Sequence, residues 1–214
     1  MPKLVVSEFL TLDGVMQGPG DANEDRSGGF EQGGWQLPFF DDVFGRTIMD
    51  GFANSGGFLL GRRTYDIFAA YWPNQSADDP LAGTMNRLRK YVVSTTLQEP
   101  LSWQNSTLIN GSVEGEIAKL KDQPGKEIQI IGSGELVQTL ARHELVDEYR
   151  LMIHPIVLGN GKRLFREGGT PVHLRLVDSK PTTTGVLLLT YVPTAEVAAA
   201  PVGATSGASS GSQR

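Results

Sequence analysis

The sequence predicts an α/β fold on a mixed, mostly parallel sheet. Three observations carry this. Short apolar strand patterns alternate with helical patterns of 10–15 residues, the signature of βαβ units. In "IQIIGSGELVQTL" (128–140) a strand passes into a helix through Gly132-Ser133-Gly134 with no room for a long loop. The last two apolar pieces, "VHLRLVDSKPT" and "TGVLLLTYVP", flank a turn around Thr184-Gly185 and read as an antiparallel hairpin.

The elements follow in order. "KLVVSEFLTL" reads as a strand, and "GPGDANEDRSGGFEQGGW" (18–35) as a Gly-rich loop with an acidic centre, long enough to suggest a functional role. "PFFDDVFGRTIMDGFANS" predicts a helix opened by Pro38 in its first turn. "GGFLLG" is a short buried strand, and "RRTYDIFAAYW" a helix ending before Pro73. "KYVVST" and "STLIN" are strands. "SVEGEIAKLKD" is an amphipathic helix with Ser112 as N-cap. After the strand–glycine–helix unit, "VDEYRLMIHPIVLG" reads as one long strand, suited to pairing across a subunit boundary. Residues 1–193 make one domain. From 194 to 214 the chain is Ala/Gly/Ser-rich, too poor in large apolar groups to offset its ordering entropy, which predicts a disordered tail.

Composition removes several classes of function. The net charge of −5 argues against generic nucleic-acid binding, whose electrostatic footprint is basic. Without cysteine there is no disulfide, thiolate nucleophile or zinc–thiolate site. The start "MPKLVVSEFL" lacks a signal-peptide pattern, and no apolar run approaches the ~20 residues of a membrane helix, so a cytoplasmic protein is expected. His143, His154 and His173 have no ligand spacing and read as structural, so no metal is expected.

Three stretches carry chemistry. Gly132-Ser133-Gly134 can bring backbone close to an anion at a helix N-terminus, but Val137 stands where a dinucleotide fingerprint has its third glycine; a bare turn explains the stretch equally well. In "LLGRRTYDIF", Arg62 and Arg63 stand at a positive helix end, which favours a phosphate between them over two solvated side chains. In "YVVSTTL", a strand ends in Ser94, Thr95 and Thr96 where an NAD site has an acid; hydroxyls, with arginines elsewhere in the chain, suit a 2′-phosphate, but for this stretch alone turn and capping chemistry is the better explanation. "LGNGKR" reads as a strand-end turn, and Trp35 and Trp72 as packing residues that could line a pocket.

The order of "TLDGVMQ", "GGWQLP", "LLGRRTYDIF", "YVVSTTL", "IIGSGELVQTL" and "VDEYRLMIHPIVLGNGKRLF" resembles the dihydrofolate reductase superfamily over roughly residues 3–192. It is most similar to the branch that includes the C-terminal reductase domain of the riboflavin-biosynthesis deaminase–reductase. The resemblance implies a three-layer fold with about eight strands and NADPH in an extended pose. It implies cofactor contacts from Gly61, Arg62, Arg63 and Thr64, from Ser94 and Thr95, and from Gly132, Ser133, Gly134, Glu135 and Leu136. Val15 would open a mobile loop over the nicotinamide, with the 18–34 segment as lid. The implied reaction is hydride transfer to a C=N or C=O of a small pterin- or pyrimidine-like substrate, with Asp13, Asp41 or a water as proton source. A homodimer is implied as well. Phe40 occupies the position where dihydrofolate reductases carry their pterin-binding acid, and only Arg26 and Arg46 offer extra cations for a phosphorylated substrate. A genuine dihydrofolate reductase and a non-catalytic nucleotide-binding protein are the alternatives.

Overall fold

A computed structural model describes residues 1–76 and 78–195. Its strands are β1 (Leu4–Thr11), β2 (Ser55–Gly61), β3 (Arg89–Val93), β4 (Ser106–Ile109), β5 (Glu127–Ile130), β6 (Glu148–His154), β7 (Leu174–Pro181) and β8 (Leu187–Pro193). Its α-helices are α1 (Asp42–Asn54), α2 (Arg62–Tyr71), α3 (Pro80–Arg87), α4 (Val113–Lys121) and α5 (Gly134–Arg142). One sheet holds all eight strands in the order β4-β3-β2-β5-β1-β6-β8-β7. The first six positions pair in parallel; β8 and β7 close the edge antiparallel. The mixed, mostly parallel sheet read from the sequence is the one observed.

The period-2 pattern of the strands sorts side chains to two cores. Phe58, Leu60 and Val92 pack with Phe52 of α1, Tyr65 of α2 and Met85 of α3 on one face. Leu4, Val6, Leu10, Ile128 and Ile130 pack with Ile117 of α4 and Leu136, Val137 and Leu140 of α5 on the other. Flanking helices on both faces complete the three layers. Among the described residues no helix is long and apolar enough to cross a membrane.

Four local expectations change. Pro38 opens only a 3₁₀ turn, Leu37–Phe39; α1 starts later because Asp41 caps it, accepting from the Phe44 N–H at 2.7 Å. α3 lies in a stretch not assigned to any element from the sequence, although Asp79 as N-cap followed by Pro80 is a helix-start pair. The long strand at 146–159 is shorter: β6 ends at His154, since Pro155 has no N–H to continue the ladder. β6 is also paired on both sides, with β1 and β8, so it has no free edge for a second subunit. Of the Ala/Gly/Ser-rich tail, residues 196–214 lie outside the described residues.

Candidate functional site

The connections place a crevice at the carboxyl ends of the central strands. β5 pairs with β1 only as far as Val6↔Ile130, whereas β1 continues beside β6 to Thr11↔His154. Residues 7–11 of β1 therefore stand as a wall above the end of β5. The chain leaves β2 into α2 on one face and leaves β5 into α5 on the other, although β2 and β5 are neighbours. This is a topological switch point, where open α/β sheets bind ligands.

The turns at this crevice are bonded to one another. The Gly61 N–H donates to Ser133 Oγ at 2.9 Å, and the Ser133 N–H donates to Thr64 Oγ1 at 2.9 Å. Gly132 and Ser133 both lie in the left-handed region, at φ 58° and 60°. A Cβ on Gly132 would sit 2.8 Å from Thr64 Oγ1, so only glycine permits this approach. Neither α2 nor α5 has a side-chain cap, and both N-termini stand at the crevice with first-turn N–H groups unclaimed by a cap. Arg62 reaches from α2 to donate to Thr96 Oγ1 and also pairs with Asp66 at 3.2 Å. Arg63 forms no ion pair or side-chain hydrogen bond among the described residues. The loops beginning at 61, 94 and 132 are thus brought together. Two uncapped helix ends, a glycine approach and an unpaired arginine fit a phosphate-bearing ligand.

Individual residues sort differently. Ser94 is buried, and its Oγ accepts from the Thr96 and Leu97 N–H groups at 3.2 and 3.1 Å, so it shapes the loop; Thr95 is exposed. Glu135 points outward to Arg166, and the Leu136 side chain belongs to the core, leaving backbone as their means of contact at the crevice. Val15 is wholly buried with Phe30 and Trp35, and it bridges to Arg163. Its neighbour Met16 is the residue of this segment that reaches the glycine turn: its sulfur lies 2.9 Å from where a Gly134 Cβ would stand.

The two acids read as proton sources are held ionised. The Thr11 hydroxyl at 2.6 Å, with the Gly159 and Leu158 N–H groups, lowers Asp13 to about 2, and Arg163 lies 3.3 Å away. The Thr183 hydroxyl and the Phe44 N–H lower Asp41 to about 2, fixing it as the tie between α1 and the β7–β8 turn. A proton donor near neutral pH needs the opposite shift. That shift occurs at Glu8, which sequence reasoning missed. Glu8 is 4% exposed on β1; burial raises its pKa well above the carboxylate range, Glu24 of the long loop adds to the rise, and the Gly132 backbone N–H opposes it. An acid on the inward-facing series Val6, Glu8, Leu10 was the available sign.

His154 is fully buried and ringed by Phe9, Trp35, Phe39 and Phe44, with ring centroids 5.1–5.9 Å away. Its Nδ1 faces the Leu10 and Met152 carbonyls, and burial lowers its pKa. Trp72 packs against Phe68 and Tyr71. Phe40 is 59% exposed and meets Phe44 edge-on. Arg26 and Arg46 are exposed. The "LGNGKR" segment forms the expected turn, whose Lys162 N–H donates to Gln17 Oε1 at 3.0 Å.

Comparison with known proteins places this geometry. The uncharacterized protein YyaP of Bacillus subtilis strain 168 is 35% identical over 136 residues, covering 62% of this chain and 71% of YyaP. A structure from Shewanella sp. PV-4, ascribed to riboflavin biosynthesis, shares the fold at TM-score 0.65 and 21% identity, over 90% of this chain and 99% of that one. The dihydrofolate reductase of Enterococcus faecalis, solved with NADP(H), does so at TM-score 0.57 and 14% identity, over 89% and 96%. The model of the RibD C-terminal domain matches residues 2–188, and the chain belongs to that family.

Proposed function

We propose that this chain is an NADPH-dependent reductase acting on a C=N or C=O of a small pterin- or pyrimidine-like heterocycle. The observation that carries the reading is the bonded convergence of the 61–64, 94–96 and 132–134 turns on a crevice with two uncapped helix N-termini. NADPH, when bound, supplies the hydride. The chain's own residues do the rest. The first turns of α2 and α5 offer N–H groups to the pyrophosphate, and the glycine at 132 lets the backbone approach it. Arg62 reaches the Thr96 hydroxyl at the β3 end, where a 2′-phosphate would be read, and Arg63 follows it in the first turn of α2. Family membership and the fold shared with an NADP(H)-bound enzyme support the same reading.

Asp13 and Asp41 take no part in proton transfer here; a water supplies the proton. The absence of a folate-type acid at Phe40 turns the substrate away from dihydrofolate. A cytoplasmic homodimer completes the proposal. With β6 paired on both sides, the β7 edge, where Leu176 and Val177 are exposed, is the surface assigned to the second copy in this reading.

Fluorescence titration with NADPH and NADH tests the reading. NADPH is expected to bind at least tenfold tighter, and Arg63→Ala to erase most of that preference, since one charge-assisted contact contributes roughly 1.5–3 kcal/mol. Equal affinity for both nucleotides contradicts the 2′-phosphate assignment; binding of neither ends the reductase reading. The fixed ionisation of both expected acids favours one rival, a nucleotide-binding protein without turnover. A screen of pterins, pyrimidines and imines for NADPH consumption separates the two, a clean null favouring the binder.

A further inference from the structure

Following the crevice across the sheet gives its two ends different chemistry. The strand order β3-β2-β5-β1 sets the 94–96 loop at one end, the 61–64 and 132–134 turns in the middle, and the edge of β1 that β5 leaves unpaired, residues 7–11, at the other. Arginines and helix N-termini occupy the first two positions. The last holds Glu8, whose Oε1 is buried with no hydrogen-bond partner. A buried polar atom without a partner costs roughly 1–3 kcal/mol, so an acid kept inward on a core strand calls for a group that is absent from the bare chain. Glu8 lies two residues beyond the last β1–β5 pair, beside Gly132.

We propose that Glu8 is the carboxyl that receives the nicotinamide carboxamide, its Oε1 accepting from the amide NH₂ and its O–H donating to the amide carbonyl. The inference rests on the NADPH reading above and adds the residue that recognises the uncharged end of the cofactor. A neutral acid complements a primary amide at both of its polar atoms, whereas a carboxylate can only accept. The environment holds Glu8 neutral: burial penalises the charge, and the one acid acting on it from a packed segment, Glu24, is itself raised by burial. A neutral group here also adds no negative charge next to a cofactor that carries several.

The test compares two ligands on three proteins. NADPH and 2′-phospho-ADP-ribose, which lacks the nicotinamide, are titrated by calorimetry into wild type, Glu8→Leu and Glu8→Gln. Glu8→Leu is expected to weaken NADPH roughly ten- to hundredfold, two neutral hydrogen bonds being lost, and to leave 2′-phospho-ADP-ribose within twofold. Glu8→Gln, which keeps one acceptor and one donor, is expected to recover most of the loss. Unchanged NADPH affinity in Glu8→Leu overturns the proposal, as does an equal loss for both ligands in a variant with wild-type circular dichroism. Should Glu8→Leu not fold, the wild type decides alone. It is expected to bind the reduced 3-acetylpyridine analogue, which has no amide N–H, about tenfold more weakly than NADPH, and equal binding overturns the assignment. If wild type binds neither NADPH nor 2′-phospho-ADP-ribose, the failure lies with the reductase reading itself.

Discussion

Replacing Gly132 by alanine tests the architecture of the crevice without touching a charge. Alanine at φ 58° pays the left-handed penalty, roughly 1–2 kcal/mol. Its Cβ would stand 2.8 Å from Thr64 Oγ1 and 3.1 Å from Thr64 Cγ2, so Thr64 must move. The Ser133 N–H then loses its 2.9 Å acceptor, which is worth about 1 kcal/mol. The sum is about 2–3 kcal/mol, which in a chain of this size lowers Tm by about 5–10 °C. Thr64→Ala alone gives up the same hydrogen bond, about 1 kcal/mol. In the double variant that bond is lost only once and the clash is gone, so its total should match Gly132→Ala alone, a coupling of about 1 kcal/mol. Thermal and urea unfolding of the four proteins measure this, and NADPH titration should show weaker binding wherever the turn has moved. A Tm change below about 1 °C for Gly132→Ala, or strictly additive losses, would refute the claim that the turns at 64 and 132 are one mechanical unit.

Other consequences are direct. Lys90 is fully buried, 4.1 Å over the Trp103 ring, and burial lowers it to about 8. Between that value and the ordinary 10.4 the unfolded chain holds one more proton, so stability should rise as pH climbs through this window. Lys90→Met is expected to abolish that rise and to gain about 2–4 °C in Tm at pH 7, despite losing bonds to the Met85 and Asn86 carbonyls; a lower Tm contradicts it. Asp41 is lowered to about 2, so its stabilisation is present above pH 4 and lost as pH falls through 2. Asp41→Ala should be less stable at neutral pH and show a shallower acid transition in circular dichroism, and an unchanged acid limb counts against its role as cap and tie. For the proposed homodimer, light scattering should give twice the chain mass and Leu176→Glu should halve it. A monomeric wild type disposes of the idea.

Most of the sheet was legible because its strands are β-branched or leucine-rich runs closed by glycine, proline or hydroxyl residues, and those cues are local. Ser112 was legible as a cap for the same reason, and its hydroxyl accepts from the Gly115 N–H at 3.4 Å. The errors arose where a distant partner decides. Asp41, rather than Pro38, sets the start of α1, and the same carboxylate ties the helix to Thr183, 142 residues away. Val15 and Met16 are adjacent in a loop with no periodicity; which one faces the crevice depends on the bridge from Val15 to Arg163, invisible in the local sequence. The acids read differently in the fold because residue type alone does not carry a pKa. Asp13, next to glycine in an open-looking turn, is held by four donors, while Glu8 in an apolar strand has an oxygen with none.

The expected lid illustrates the same limit from another side. Glycines at 18, 20, 28, 29, 33 and 34 suggest a segment free to swing. In the fold the segment is clamped to the turn after β6. Gln17 donates to the Asp25 and Ser27 carbonyls at 3.1 and 2.9 Å and accepts from the Lys162 N–H. The Lys162 ammonium meets Asp25 and Ser27 at 2.5 and 2.6 Å, and the Trp35 indole N–H donates to the Gln17 carbonyl at 2.7 Å. A lid opening on its own would break four bonds to Lys162, including that from the Met16 N–H to its carbonyl at 2.8 Å, at roughly 1 kcal/mol for each neutral one and 1.5–3 for each charged one. It would also pull Phe30 and Trp35 from the buried cluster they share with Val15. That cost is comparable to the net stability of an ordinary domain. Any closure over the crevice must therefore carry the 16–35 segment and the 158–163 turn together, because the glycines give this backbone its shape and Gln17 and Lys162 take away its freedom.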